Sequence, residues 1–319
     1  MKSFQINKNE AGQRLDKYLK KLLPAAPSSF LYKMLRKKNI TLNGKKSDGC
    51  EKIVLGDTVE LFFSPETFLK FASPQSSISH NTLKKQYPNS SLSIIYEDAD
   101  IIVINKPVGM LSQKASQNDV SANEYIIGYL LNSGQIVPED FATFHPSVCN
   151  RLDRNTSGLL IAGKSMKGLQ EMSEELKSRT IEKYYRCLVK GKITDTQTIE
   201  GWLYKDEKQN KVSITQEERL DSKYIQTKYS PIHQYNQYTL LEVHLITGRS
   251  HQIRAHLSSI DHPIIGDSKY GDKQTNLQFA KTCNLHSQLL HAYRMKLSNG
   301  RELIAPLPAE FVGALQVIN

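Results

Sequence analysis

The chain has 319 residues, with 42 Lys and Arg against 32 Asp and Glu and a formal net charge of +10. That length accommodates one large domain and a small one, each with its own core, and the cationic excess points to a polyanionic partner, because Lys and Arg release counterions condensed on a phosphate backbone. Cys50, Cys149, Cys187 and Cys283 are scattered without a Cys-x-x-Cys pair, there is no apolar leader, and no run reaches membrane-spanning length; a disulfide framework, a zinc ribbon and a membrane role are therefore not expected, and a reducing cytoplasm is.

Leu15, Tyr18, Leu19, Leu22 and Leu23 recur at helical spacing up to the break at Pro24 to Pro27. A second helix, capped by Ser28 or Ser29, carries Phe30, Leu31, Met34 and Leu35 on one side and the cations Lys33, Arg36, Lys37 and Lys38 on the other. Strand-like runs follow at Ile40 to Leu42, Ile53 to Leu55 and Thr58 to Phe63, with turns at Asn43-Gly44 and Gly56-Asp57. Helix, basic helix and small sheet, together with Gly12-Gln13-Arg14-Leu15-Asp16-Lys17-Tyr18-Leu19, resemble the S-four-type RNA-binding domain. The resemblance implies that residues 1–63 form such a domain and that Lys33, Arg36, Lys37 and Lys38 contact RNA; a packing cap is the alternative.

Residues 64–91 are rich in Ser, Pro, Asn, Gln and Lys and predict a linker with at most one short helix around Glu66 to Phe71. From residue 92 onward a larger domain is expected. Ile94 to Tyr96 and Ile101 to Ile104 flank an acidic turn as a hairpin would, and Asn105-Lys106-Pro107-Val108-Gly109 follows. Ser121 and Glu124 make a capping box for a helix closed near Gly134. Gly158 to Ala162, Glu182 to Val189 and Tyr238 to Leu245 predict strands, and Ser165 to Lys177 and Ser250 to Ser259 helices. With no βαβ repeat, the pattern predicts an α+β fold: a mixed, largely antiparallel central sheet with packed helices, preceded by a small α/β domain.

Arg-Leu-Asp occurs three times, but only the copy at Arg151 to Asp153 is followed by Arg154-Asn155-Thr156-Ser157-Gly158 and an apolar run. Further on stands Thr247-Gly248-Arg249-Ser250-His251-Gln252-Ile253-Arg254-Ala255-His256. The two segments, in this order, resemble the signatures of the RluA/RluD-type pseudouridine synthases. So do the Asn-Lys-Pro-x-Gly segment, Lys183-Tyr184-Tyr185, the stretch around Asp267 and Leu290-His291-Ala292. The resemblance covers most of the chain apart from the linker and roughly residues 193–232.

A uridine can be cleaved at its glycosidic bond and rejoined through carbon without metal, redox change or nucleotide cofactor. An ionised carboxylate beside the sugar is required, with a cation near it. The base must also be taken out of its stack into a pocket. The resemblance implies that Asp153 is the catalytic carboxylate, either attacking the anomeric carbon or removing a ribose proton. It gives Arg254 as the charge partner of Asp153 and Tyr185 as the residue in the uracil pocket, with Tyr184 facing the other way. Arg151 either occupies the space left by the flipped nucleotide or forms a salt bridge within its loop. Arg249, His251 and His256 contact phosphate or brace their loop, and Asp267 is architectural.

No cofactor and no metal are expected: Gln252 stands where a zinc hydrolase of the His-x4-His type needs Glu, and Cys283 with His286 has no second pair. Two positions depart from the family pattern, which commonly has His where this chain has Asn150 and often Asp where it has Asn155. The expected activity is isomerisation of specific uridines in structured RNA, with large-subunit ribosomal RNA preferred over transfer RNA because of the N-terminal module, by a monomer. The rivals are an RNA-binding assembly factor without activity, in which a desolvated carboxylate would have no use, and a hydrolase, for which a Ser or Cys nucleophile motif is lacking.

Overall fold

The computed structural model describes residues 1–72, 86–89, 91–137, 140–141, 143–206 and 211–318. The first strand, β1 (Lys2–Gln5), is followed by α1 (Leu15–Leu22), α2 (Ser28–Arg36), β2 (Ile40–Leu42), β3 (Lys45–Lys46) and β4 (Thr58–Leu61). The four strands pair antiparallel in the order β1-β4-β2-β3. Leu15, Leu19, Leu31 and Leu35 from the helices meet Ile40, Val59 and Leu61 from the sheet in a separate apolar core.

Two local expectations are corrected here. Ser28 is the first residue of α2, and Pro27 stands at the N-cap with no side-chain cap bond. Ile53 to Leu55 is not a strand: Ile53 bonds Gln13 and Gly12 through its N–H and C=O, so its backbone is satisfied by the loop before α1. The one short helix expected in the linker segment is present as α3 (Pro65–Phe71), capped by the Ser64 hydroxyl on the Thr67 N–H, and Phe68 and Phe71 join the N-terminal core. Residues 73–85 lie outside the described residues, while Tyr87 packs against the larger core, its ring 6.1 Å from Phe141.

The larger unit is built on one sheet. Its strands are β5 (Ile94–Glu97), β6 (Ile101–Lys106), β7 (Ser147–Val148), β8 (Ser157–Gly163), β9 (Glu182–Lys190), β10 (Gln197–Asp206), β11 (Lys211–Thr215), β12 (Lys223–Gln234), β13 (Tyr238–Leu245), β14 (Leu290–Lys296) and β15 (Glu302–Ile304). The order is β11-β10-β12-β13-β9-β14-β8-β6-β5, with β15 on β14 and β7 on β8. Every pairing is antiparallel except β14 with β8, so the sheet is mixed and largely antiparallel, as expected. At the parallel joint Gly158 has φ +111°, and a Cβ there would lie 2.3 Å from the Ala292 carbonyl oxygen. Only glycine permits that approach.

Helices α4 (Ala122–Asn132), α5 (Met166–Ser178), α6 (Gln252–Ser259), α7 (Lys273–Cys283) and α8 (Ala309–Val317) pack on this sheet. The capping box of α4 is present, with Glu124 accepting from the Ser121 N–H at 3.0 Å. Among the described residues, no helix is long and apolar enough to cross a membrane.

The two units touch. Lys8 Nζ lies 3.1 Å from an Asp100 carboxylate oxygen, and the Thr143 hydroxyl donates to Glu10 at 2.7 Å.

Candidate active site

The loop between β7 and β8 carries Asp153, and its shape is set by bonds at both ends. Asn150 clips the loop to β8, accepting the Ile161 N–H at 2.8 Å and donating to the Leu159 carbonyl at 3.3 Å. A neutral amide supplies donor and acceptor together, so this departure from the family pattern has an architectural role here. The Ser112 hydroxyl bonds both the N–H and the C=O of Leu152 at 2.9 Å, and Thr156 N–H donates to the Asp153 carbonyl at 3.0 Å.

Lys106, at the end of β6, braces the same loop from behind. Its side chain is fully buried, and Nζ donates to the carbonyls of Pro107, Met110 and Arg154 at 2.9, 2.8 and 3.1 Å. Burial drives its pKa down to about 7, against the pull of Asp153 in the other direction. The Asn-Lys-Pro-x-Gly segment is legible in the sequence, but the burial of its lysine under the Asp153 loop is not.

Arg254, on α6, meets Asp153 as the pairing requires: Nη1 donates to the carboxylate at 2.7 Å. Its other edge is held by Asp267, with Nε and Nη2 on the two carboxylate oxygens at 2.7 and 2.9 Å. Asp267 also accepts the N–H groups of Lys269 and Tyr270. Burial pushes the Asp267 carboxyl upward, but Arg254 and these amides overcome it and hold the pKa below the usual carboxylate range. The exposures grade outward, from 0% for the Asp267 side chain and 6% for Arg254 to 26% for Asp153. Asp153 is therefore reachable from solvent, which corrects the expectation of a desolvated carboxylate.

Tyr185, on β9, is buried on the face that carries Leu241, Val243 and Leu290 and lines the same cleft as Asp153. Burial raises its pKa, and the nearby Asp153 charge adds to the shift. Tyr184 points to the opposite face, stacked on His244 with ring centroids 4.6 Å apart and with Arg294 above it. The expected register of β9 is the observed one.

His251, the N-cap of α6, lies in the left-handed region, φ 55°, and is wedged between Tyr270 (Nδ1 to Oη, 2.9 Å) and Asp153 (Nε2 to the carboxylate, 3.9 Å). Burial lowers its pKa despite Asp153. Its place puts it directly beside the Asp153 carboxylate. His256 is not in the cleft: its Nδ1 faces the Thr227 hydroxyl at 3.0 Å, and burial drives its pKa to about 4, so it braces α6 on the sheet.

The cleft has a volume of about 900 Å³. Eight Lys and Arg side chains line it, Arg151, Arg154 and Arg249 among them, against the single carboxylate of Asp153. Such a ratio favours a polyanion over a neutral ligand. Arg151 and Arg249 are exposed, and among the described residues Arg151 makes no ion pair, so the salt-bridge alternative is absent. Lys33, Arg36, Lys37 and Lys38 are exposed on α2 and just beyond it, away from the lining of this cleft.

Residues 100–259, which contain Lys106, Asp153, Tyr185 and Arg254, match the family model described as RNA pseudouridylate synthase. The protein belongs to that family, and its activity is the isomerisation of uridine to pseudouridine in RNA. It is 31% identical to the ribosomal large subunit pseudouridine synthase C of Vibrio vulnificus over 92% of this chain and 87% of the relative. Against the enzyme of that name from Rickettsia bellii it is 32% identical, covering 93% and 95%. The ribosomal large subunit pseudouridine synthase D of Haemophilus influenzae is 28% identical over 99% of this chain and 94% of the relative. In fold, the chain is similar to human RNA pseudouridylate synthase domain containing 4, with a TM-score of 0.58 at 22% identity over 75% of this chain and 96% of that one.

Proposed function

We propose that this enzyme isomerises specific uridines of large-subunit ribosomal RNA, using Asp153 as the reacting carboxylate. The observation that carries the site assignment is the clamp in which Arg254 is fixed by buried Asp267 and presents its remaining nitrogen to partly exposed Asp153. A carboxylate so paired is held in one orientation in the cleft that it lines, which is what attack on the anomeric carbon or abstraction of a ribose proton needs. Tyr185 flanks the base pocket, Arg151 fills the vacated stack, and Arg249 takes backbone phosphate; His251 orients the carboxylate rather than binding phosphate. The names of the relatives from Vibrio vulnificus and Haemophilus influenzae favour ribosomal RNA.

Residues 1–63, of S-four type, with α3 added to their core, form a separate RNA-binding domain through Lys33, Arg36, Lys37 and Lys38; the enzyme works in the cytoplasm as a monomer and without a nucleotide cofactor. The experiment is to map pseudouridines in ribosomal and transfer RNA from cells with the chain, without it, and with Asp153→Asn. Loss of one or more large-subunit sites, restored by the wild type and not by the variant, is expected. Loss confined to transfer RNA overturns the ribosomal reading, and restoration by Asp153→Asn overturns the assignment of Asp153.

A further inference from the structure

The end of the cleft on the Lys183 side is cationic for no reason that the folded chain supplies. Lys183 lies two residues before Tyr185 on β9, so its side chain leaves the same face of the strand, about 7 Å along it. Both line the cleft, as do Arg179 and Gly248. Lys183 Nζ reaches the loop between β13 and α6, lying 3.4 Å from where a Cβ on Gly248 would be. Arg179 closes α5 in the left-handed region, φ 64°, and is exposed. Among the described residues, neither Lys183 nor Arg179 has a side-chain hydrogen bond or a carboxylate within ion-pair distance.

We infer that Lys183 and Arg179 form a phosphate-binding subsite that grips an RNA phosphodiester flanking the uridine held against Tyr185. Burial lowers the pKa of Lys183, and the neighbouring Arg179 charge lowers it further. Two like charges lining one end of a cleft without a counterion disfavour each other, and a phosphate bound there removes that cost. The absence of a side chain at Gly248 leaves room for a sugar-phosphate strand beside Lys183, and the strand spacing sets the phosphate next to the nucleotide in the Tyr185 pocket. These two are positioning residues, distinct from the groups around Asp153.

This inference rests on the reading of the cleft as the site of RNA isomerisation, and the test separates the two. Full-length wild type, Lys183→Met, Lys183→Arg and Arg179→Gln are compared on a large-subunit ribosomal RNA transcript. The readouts are turnover, binding over a salt series, and thermal melting. Lys183→Met should raise KM about tenfold with kcat nearly unchanged, the loss of one charge-assisted hydrogen bond. Its slope of log affinity against log salt should be shallower by about 1. Arg179→Gln should move the same quantities in the same direction, and Lys183→Arg should stay near wild type. Free Lys183→Met should melt no lower than the wild type, since a desolvated unpaired charge is gone.

A fall in kcat with unchanged KM and salt slope overturns the inference, as does a wild-type slope in both Lys183→Met and Arg179→Gln. A lower melting temperature in Lys183→Met would make Lys183 a structural residue and overturn it as well. The binding slopes need no turnover, so they decide the phosphate contact even where the wild type leaves the transcript unmodified, a result that would count against the ribosomal reading alone.

Discussion

Arg254 and Asp267 are locked fork to fork, two parallel hydrogen bonds joining a guanidinium to a carboxylate that solvent does not reach. Bidentate geometry fixes the plane of the guanidinium, and the third nitrogen can then point only toward Asp153. The direction of the Arg254–Asp153 bond is set by a residue that is not among those lining the cleft.

Asp267→Asn should therefore damage both stability and turnover. Removing one partner of a buried pair typically costs about 3–5 kcal/mol, and Arg254, once released, no longer aims at Asp153. Urea unfolding and single-turnover isomerisation check this; a variant with wild-type stability and rate would show that Arg254 is held by something else.

The two tyrosines of β9 should separate cleanly. Tyr185→Ala is expected to slow isomerisation at least tenfold and to cost about 3–5 kcal/mol as a buried aromatic truncation. Tyr185→Phe keeps the packing and isolates the hydroxyl. Tyr184→Ala removes a stack with His244 and Arg294 on the far face, so its turnover should stay within about twofold of wild type. An equal kinetic loss at both positions would contradict the placement of Tyr185 alone in the pocket.

Acid should weaken the fold in two stages. His256 and His291 are buried and their pKa values driven from 6.5 to about 4. A base whose folded pKa is depressed binds its proton first in the unfolded chain, so stability falls as pH drops from 6.5 toward 4 and this part levels off below. Asp267 has the opposite proton chemistry and a lowered pKa. Its contribution is intact above the ordinary carboxylate pKa and is lost only as pH falls through its lower, folded value. Urea midpoints between pH 7 and 3 should show both, and His256→Gln should flatten the upper stage.

A chain beginning at residue 86 should keep the folded catalytic unit, because Tyr87 packs on Phe141 and the Pro88 carbonyl lies where a Cβ on Gly128 would be. Starting at residue 92 removes that packing and should lower the melting temperature. Both truncations lose the cations of α2, so RNA binding by either should fall less steeply with salt than binding by the full-length chain. Equal slopes in all three would assign the N-terminal unit a packing role only.

Much of the fold is legible in the sequence where the physics is local. The capping box at Ser121 and Glu124, the helices around Ser165 to Lys177 and Ser250 to Ser259, and the alternation that puts Tyr184 and Tyr185 on opposite faces all follow from spacing. The pairing of Asp153 with Arg254 is implied by the resemblance of their two segments to the family signatures. What stays hidden depends on distant partners. β1 and β3 are short and largely exposed, and β10 to β12 mix polar and aromatic residues without a family-like motif. The reach of Lys106 to the Arg154 carbonyl and the diversion of His256 to Thr227 join segments 48 and 29 positions apart, while the fork from Asp267 to Arg254 is closer in the chain but has no local periodicity to announce it.

Asp153 and Arg254 are separated by 101 positions, and Ser157 reaches His291 across 134. Between the two halves of the site the chain lays down β9 to β13, and the central strand β14 arrives only after α6. Closing loops of that size delays assembly. A chain released from synthesis before β14 carries every signature residue from Asp153 to Arg254 yet lacks the strand that seats β8 beside β9. The sheet under the site is thus complete only once the C-terminal strand is in place between β8 and β9, and activity itself reports that insertion.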